Sequence, residues 1–398
     1  MKSIFAALLQ IAAISSASLT VRAQTVSPND DGRLRWDQFL PRADVNSINL
    51  GEVLLPNSRP TADRRAWNAK GRRIPREMPS FRELEMVPIE AEDVIDEYYM
   101  QKLFERYDGN TQSILNRLQL DLPGTSLRLA ASVYRRVEVD TFSALTTGIV
   151  TVRNPQDATK TYTASYGFDA ARYETAPTAW NDGGVNAYNL FTEWLSRSVD
   201  LIGGVEGVVL RQPTYNAIRA DAPTLLNGER RSRQEMEEDI SQETGQPFRF
   251  EIMENTVEIF DDGGVTKTIT KVFPLEKILA IPPGRVIGST PFAPVYRAQD
   301  IVRTAPQAGI DVNGVTVYHI EENDGKSLTT QAQANAIPSP DENKVAVIDA
   351  GVVVFSAGSR PDWGTPGPSA KRALRETAVA VQRLLGAEAG KVARAVTL

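Results

Sequence analysis

A stripe of hydrophobic positions at helical spacing predicts one long helix in the first half of the chain. Residues 125–148 begin at a Thr125 or Ser126 cap and end at Gly148. At 3.6 residues per turn this is a helix of about six turns. Its apolar side chains recur every three to five positions and form one face. They are Leu127, Ala130, Ala131, Tyr134, Val137, Phe142 and Leu145.

Similar patterns predict further helices on both sides of this one. An acidic first turn opens a helix in residues 90–109, and a second helical segment, 110–124, ends at a Pro-Gly pair. An amphipathic helix is predicted over residues 186–202 and a charged one over 230–245. A last helix follows a Gly/Pro/Ser stretch after residue 356. These helices alternate with β-forming segments.

Runs of β-branched residues predict hairpins and a β-rich second half. Residues 149–168 read as one hairpin, and residues 256–284 place Asp261-Asp262-Gly263-Gly264 between two such runs. Adjacent carboxylates beside glycines also occur in ion and phosphate sites, but the phosphate-loop and EF-hand patterns are absent. Glycine supplies the positive φ that a tight turn needs, so we interpret these four residues as a hairpin turn. Helices and strands together predict an α+β fold.

The segment between residues 25 and 92 lacks the periodicity of a compact domain. Its frequent prolines prevent long helices, and its polar composition is typical of disorder. Large apolar residues nevertheless recur, among them Trp36, Phe39 and Trp67, and a disordered linker does not need them. We therefore predict an extended N-terminal arm, 25–60, and an extended loop, 61–92, whose apolar residues are buried against other surfaces.

The loop is also strongly basic, although the protein carries 44 basic and 50 acidic residues and a net charge of −6. A solvated charged surface is the simplest interpretation of such a run. Contact with an acidic neighbouring subunit is the sharper hypothesis, with nucleic acid as the next alternative. The predicted subunit-contact residues are Trp36, Phe39, Arg64, Arg65, Trp67, Arg72 and Arg73.

Composition excludes several kinds of chemistry. The chain has no cysteine and only one histidine, His319, which rules out thiol catalysis, Cys-ligated zinc and multi-histidine metal sites. His319 ends an alternating strand, where we expect it to be exposed. Composition does not exclude an enzyme that uses paired Asp and Glu side chains. However, the acids nearest to glycine-rich turns are each explained by a turn or by the polar side of a helix. We therefore predict no catalytic site, metal or cofactor.

The first 24 residues have two interpretations. Lys2, an apolar run over residues 4–14 and small residues near Ala23 are typical of a secretory signal. Against a signal, Gln10 interrupts the apolar run and the basic region is a single lysine, and the alternative is an amphipathic or mildly apolar arm that packs on a partner. If the signal interpretation holds, the chain is a secreted or periplasmic binding or carbohydrate-active protein.

A strand-and-turn pattern in the second half carries a family resemblance. A lysine, a phenylalanine and a proline precede an apolar strand that ends at proline and glycine, and a further glycine follows. The positions are Lys271, Phe273, Pro274, Ile278, Leu279, Ile281, Pro282, Gly284 and Gly288. This pattern resembles the phage major capsid protein E family, the lambda-like branch of tailed-phage capsid proteins. Over residues 35–355 the order of arm, basic loop, long helix, hairpin and amphipathic helix agrees with that family.

The resemblance implies the tailed-phage major capsid fold. In that fold the arm and the extended loop reach over neighbouring subunits. A peripheral domain, 93–180, contains the long helix 125–148 as its spine, and an axial domain, 181–335, converges at symmetry axes. Residues 336–355 are implied to return to the peripheral domain, and residues 356–398 form a C-terminal extension with a helix.

The resemblance also implies a function. A protein of this family self-assembles into hexamers and pentamers of the icosahedral head shell that encloses phage DNA. The implied partners are other copies of the chain, together with a scaffold, a head protease, a portal and a decoration protein. Packaged DNA is expected to be bound only weakly and nonspecifically, because the net charge is negative. The implied location is the virion, after assembly in the host cytoplasm.

Overall fold

The computed structural model describes residues 34–54, 80–154, 157–181, 184–224, 231–260, 267–295, 309–312, 314–322 and 327–352. Sequence predictions that lie outside these ranges include the signal-like residues 1–24, residues 61–79 of the extended loop, the turn at 261–264 and the helix after residue 356.

The helices are α1 (Trp36–Phe39), α2 (Glu97–Arg106), α3 (Thr111–Thr147), α4 (Ala187–Ile202), α5 (Gln212–Asp221) and α6 (Arg233–Thr244). The first nine strands are β1 (Arg42–Asp44), β2 (Asn49–Leu54), β3 (Ser80–Glu85), β4 (Pro88–Ile95), β5 (Ile149–Asn154), β6 (Asp157–Ser165), β7 (Tyr173–Thr175), β8 (Gly207–Leu210) and β9 (Arg249–Ile252). They are followed by β10 (Thr256–Phe260), β11 (Lys267–Lys271), β12 (Lys277–Ile281), β13 (Gly288–Ala293), β14 (Gly309–Val312), β15 (Val315–Glu322), β16 (Ser327–Ala336), β17 (Ser339–Pro340) and β18 (Val347–Asp349).

The spine helix α3 is longer than its sequence pattern predicts. It continues through positions 123 and 124, where a Pro-Gly pair was expected to separate two helices. A proline inside a helix costs about 3 kcal/mol, so packing on both sides of the pair must outweigh that loss. Leu118 and Leu122 are buried before the pair, and Leu129 and Val133 after it. Gly148, at φ 66°, ends the helix as predicted.

The predicted helix of residues 90–109 is in part a strand. Residues 88–95 form β4, which pairs along its whole length with β16, and the helix begins only at residue 97. Asp96 caps this helix by accepting a hydrogen bond from the Tyr99 amide at 2.7 Å. The inward positions Ile89, Ala91 and Ile95 alternate with exposed ones, which is the two-residue period of a strand.

One sheet packs on the spine helix. It has seven strands. Five of them lie in the order β1-β13-β16-β15-β14, and the other two pair with members of this series, β4 with β16 and β17 with β13. Strand β16 is central, and all ten of its residues are buried. Its alanines Ala332, Ala334 and Ala336 face the helix side chains Val133 and Val137 in one hydrophobic cluster. Small side chains there let the helix lie close to the sheet.

A second sheet has the order β7-β18-β12-β8-β9. One of its faces is covered by α4, α5 and α6 in a cluster that contains Phe191, Trp194 and Phe250. Its other face packs on the C-terminal half of the spine helix through Phe142 and Leu145. The spine helix therefore contacts both sheets.

Strand pairing divides the chain differently from the implied domains. Strands β13 to β16 lie in the predicted axial range, 181–335, yet they join the sheet on the spine helix. Strand β18 lies in the predicted return segment, 336–355, and pairs both with β7 of the predicted peripheral range and with β12 of the predicted axial range. Pairing between strands far apart in the chain is not specified by local hydrophobic patterns.

The two predicted hairpins form, but the packing of Phe142 differs from the expectation. Strands β5 and β6 pair, as do β10 and β11. Because the hairpin of residues 149–168 directly follows the long helix in the chain, its sequence position predicts that the apolar stripe of the helix packs on it. Phe142 instead lies edge-on to Phe39 and Phe273, with ring centroids 5.8 and 5.7 Å away.

Replacing Phe142 by alanine is expected to lower the free energy of unfolding by about 3 to 5 kcal/mol, because a fully buried ring leaves a cavity between the helix and the second sheet. Leu127→Ala, at a half-buried position of the same helix, serves as the control and should cost less. Urea unfolding of the unassembled chain measures both. Equal losses for the two variants would contradict this assignment of the core face.

Candidate assembly surfaces

Three two-stranded ribbons are paired with no further strand among the residues that the structure describes. They are β2–β3, β5–β6 and β10–β11. An isolated two-stranded hairpin is marginally stable in water and needs other elements to pack against. Three such ribbons in one chain favour a protein whose packing is completed by neighbouring molecules.

The ribbon β5–β6 is fixed at its base to the spine helix. Val150 and Ala164 are buried with the helix residue Ala144. The guanidinium group of Arg136, also on the helix, donates a hydrogen bond of 2.9 Å to the carbonyl oxygen of Thr151. The helix therefore sets the direction in which this ribbon leaves the body.

The ribbon β10–β11 is held at its base by the carboxylate of Glu254. This group lies 2.7 Å from Nζ of Lys271 and accepts a hydrogen bond of 3.0 Å from the backbone amide of Gln212. Burial opposes ionisation of Glu254, but Lys271, the Gln212 amide and Arg211 outweigh it and lower the pKa to about 2. Beyond this base β11 is exposed, and Ile269 has 64% of its surface in solvent.

The ribbon β2–β3 carries the basic segment. Leu54 pairs with Ser80, so residues 55–79 begin and end at the same end of the ribbon. Five of the predicted subunit-contact residues belong to this segment and lie outside the described residues, so their role stays a prediction. They are Arg64, Arg65, Trp67, Arg72 and Arg73.

The other two predicted contact residues need correction. Trp36 and Phe39 are 2% and 0% exposed within a single chain, so neither is available to a neighbouring subunit. Trp36 packs on Tyr134 of the spine helix and on Phe292, with ring centroids 6.4 and 6.0 Å away. The sequence shows two apolar anchors in a polar segment but not that their aromatic partners belong to the same chain.

A buried carboxylate fixes the start of the described arm. Glu138 of the spine helix accepts hydrogen bonds from the amides of Arg35 and Trp36 at 2.8 and 2.9 Å. Burial raises the pKa of Glu138 above its ordinary value, although these two amides and Asn255 favour the ionised form. Trp36, Phe39 and Leu40 of the predicted arm are thus part of the core, and Arg42–Asp44 extend the sheet as β1.

Sequence reasoning missed one exposed surface. Val94 at the end of β4 and Tyr98 and Tyr99 at the start of α2 are 45%, 70% and 43% exposed. Exposed large apolar side chains close together mark interaction surfaces. A helix prediction over residues 90–109 hid this surface, although the alternation in β4 could have revealed it.

The lone histidine is buried, contrary to the expectation that it is exposed. His319 lies on β15, with Nδ1 2.9 Å from Oγ1 of Thr330, and burial lowers its pKa to about 4. Within the described ranges, no group of three or more His, Asp or Glu side chains is placed to hold a metal ion. None of the helices described is long and apolar enough to span a membrane.

No protein-family model matches the chain, and no curated protein matches it. A solved structure from Escherichia coli CFT073, described as a prophage capsid protein, aligns with a TM-score of 0.52 and 12% identity over 84% of this chain and 98% of that one. A phage-related protein from Bordetella bronchiseptica RB50 aligns at 0.45 and 13%, over 85% and 97%. The capsid of Myoviridae phage XM1 aligns at 0.38 and 12%, over 76% and 85%.

The chain has the fold of tailed-phage capsid proteins. The prophage protein carries this conclusion, because its alignment includes nearly its whole length. The predicted fold class is therefore confirmed. The lambda-like branch of the family stays a prediction, since no family model supports it.

The anchor at Glu138 gives a test with two variants. Glu138→Ala leaves the amides of Arg35 and Trp36 without their acceptor and should cost about 2 kcal/mol or more. Glu138→Gln keeps an acceptor oxygen and should cost less.

The difference in stability between the parent and Glu138→Gln should change with pH in one direction. The pKa of Glu138 is about 4.5 in the unfolded chain and is raised in the folded state. The contribution of Glu138 to the free energy of unfolding is therefore complete below pH 4.5 and declines as pH rises through the folded-state pKa. Glutamine lacks this decline. The gap in unfolding free energy between parent and Glu138→Gln should therefore narrow from pH 4 to about pH 7.5, measured by urea unfolding. A gap that is constant or widens over this range would contradict the assignment.

Proposed function

We propose that this chain is the major capsid protein of a tailed phage. It assembles into hexamers and pentamers, and these form the icosahedral head shell that encloses the phage DNA. The supporting observation is a coat fold over 84% of this chain, combined with three ribbons that pair with no further strand among the described residues. A heterologous interface that closes into rings gives such ribbons partners on every subunit.

The role is structural and not enzymatic. Among the acids near glycine-rich turns, Glu193 lies exposed on α4, whose opposite side is buried. The others, Asp182, Asp261 and Asp262, lie outside the described residues. The alternative of a secreted or periplasmic binding protein rests on residues 1–24 alone, and the coat fold gives it no support.

The partners follow from this role. Other copies of the chain are the main partner, and a scaffold, a head protease, a portal and a decoration protein act during head assembly. Residues 61–79, with Arg64, Arg65, Trp67, Arg72 and Arg73, contact an adjacent subunit. Packaged DNA is held weakly, because a net charge of −6 repels its phosphates. The protein is a virion component that assembles in the host cytoplasm.

Electron microscopy of the purified full-length chain tests the proposal. We expect capsomers or closed shells, and shells should be lost when Arg64, Arg65, Arg72 and Arg73 are replaced by glutamate. The same four positions changed to lysine form the control, which keeps the charge and should still assemble. A parent chain that stays monomeric at every concentration, with or without crowding agents, would contradict the proposal.

A further inference from the structure

The exposed surface of β4 and α2 has a definite shape and charge. Along β4 the side chains alternate, so that Glu90, Glu92 and Val94 are exposed while the residues between them turn toward the spine helix. The surface continues through Glu97 and Tyr98 at the start of α2. We call these five residues the β4 surface. It combines an exposed aromatic ring and a valine with three carboxylates.

The described part of its own chain leaves most of the β4 surface exposed, although Nζ of Lys102 lies 5.6 Å from the centroid of the Tyr98 ring. Strand β4 pairs only with β16 there, so its outer edge is open. Glu90 and Glu97 have no hydrogen-bonding or ion-pair partner among the described residues, and Glu92 meets only the Gln331 amide, at 3.3 Å. By contrast, the inward Asp93 pairs with Arg128 of the spine helix at 3.3 Å. Carboxylates beside exposed apolar side chains call for a cationic partner that also carries apolar groups.

One segment of this chain has that chemistry. Residues 55–79 contain seven basic and two acidic side chains, a net charge of +5 in a protein of net charge −6. They also contain Trp67, and an arginine beside an aromatic residue suits both carboxylates and a tyrosine ring. The segment begins and ends where Leu54 pairs with Ser80, on a ribbon that pairs with no other described strand. The residues that flank the segment therefore belong to neither of the two large sheets.

We propose that the β4 surface binds the basic segment 55–79 of a second copy of this chain. The carboxylates of Glu90, Glu92 and Glu97 bind its arginines, and Val94 and Tyr98 pack on its apolar groups. The inference rests on the proposed function, because it identifies the acceptor of a subunit contact within the shell. It also gives a role to both the basic loop and the acidic edge strand of this protein.

A peptide of residues 55–79 tests the contact without a shell. The receptor is the full-length chain with Arg64, Arg65, Arg72 and Arg73 changed to glutamate, so that its own loop cannot compete. We expect binding that weakens as salt rises from about 50 to about 500 mM. Glu90→Lys with Glu92→Lys should weaken it by about tenfold or more.

A matched control separates a specific contact from general attraction between opposite charges. Glu193→Lys with Asp200→Lys makes the same change in net charge at exposed positions of α4 and should leave peptide binding unchanged. The proposal would be overturned if the Glu90/Glu92 variant and the Glu193/Asp200 variant lost peptide binding equally. It would also be overturned if both variants bound the peptide as well as the unchanged receptor does. Circular dichroism shows whether each variant is folded. Because no assembly is needed, these outcomes are independent of whether the parent chain forms shells.

A cysteine pair distinguishes a second copy from the same chain. The protein has no cysteine, so Val94→Cys with Ala66→Cys introduces the only two thiols. Under mild oxidation we expect a ladder of covalently linked chains on a non-reducing gel. As a control, Ala66→Cys is combined with Ile269→Cys, which lies on the β10–β11 ribbon. This pair should give far fewer covalently linked chains. A linked monomer without a ladder would show that the segment folds back on its own chain and would overturn the proposal.

Discussion

The packing of the spine helix determines most of what this chain can do. Its N-terminal half is buried with α2, its middle with the seven-stranded sheet, and its end with both the second sheet and the ribbon β5–β6. One continuous helix of 37 residues therefore runs through four of the hydrophobic clusters. Its buried carboxylate, Glu138, also fixes the point at which the arm enters the core.

This arrangement leaves the ribbons as the elements with unfinished packing. Each is fixed at or near its base to a well-packed element and then extends beyond it, as β10–β11 does from the Glu254 network. A shell is a natural solution, because every subunit supplies surfaces for its neighbours and receives the same surfaces in return.

Local patterns predicted the helices and hairpins well, since each depends on nearby residues. The stripe through Tyr134 and Val137, the Gly148 stop and the paired strands around residues 261–266 are all of this kind. The failures depend on distant partners. Nothing near Trp36 shows that Phe292 will cover it, and nothing near residue 123 shows that buried leucines on both sides will carry the helix through a proline. The sheet membership of β18 is non-local in the same way.

The candidate surfaces were predicted in part. The basic run in the loop was visible because its charge is opposite to that of the whole protein. The acidic residues of β4, which we propose as its binding surface, were instead assigned to a helix over residues 90–109. Strand β4 forms because β16 pairs with it along eight positions, from Leu328↔Ile95 to Asn335↔Pro88. Propensity for a helix in residues 90–95 is too weak to compete with that pairing.

Amide hydrogen exchange tests most directly whether neighbouring chains complete the ribbons. Amides of residues 49–54 and 80–85 should exchange rapidly in the unassembled chain, because the ribbon is marginal alone. In assembled particles they should slow by about tenfold or more, while amides of β12, in the middle of the second sheet, should be slow in both states. Equal protection of the β2–β3 ribbon before and after assembly would contradict the account.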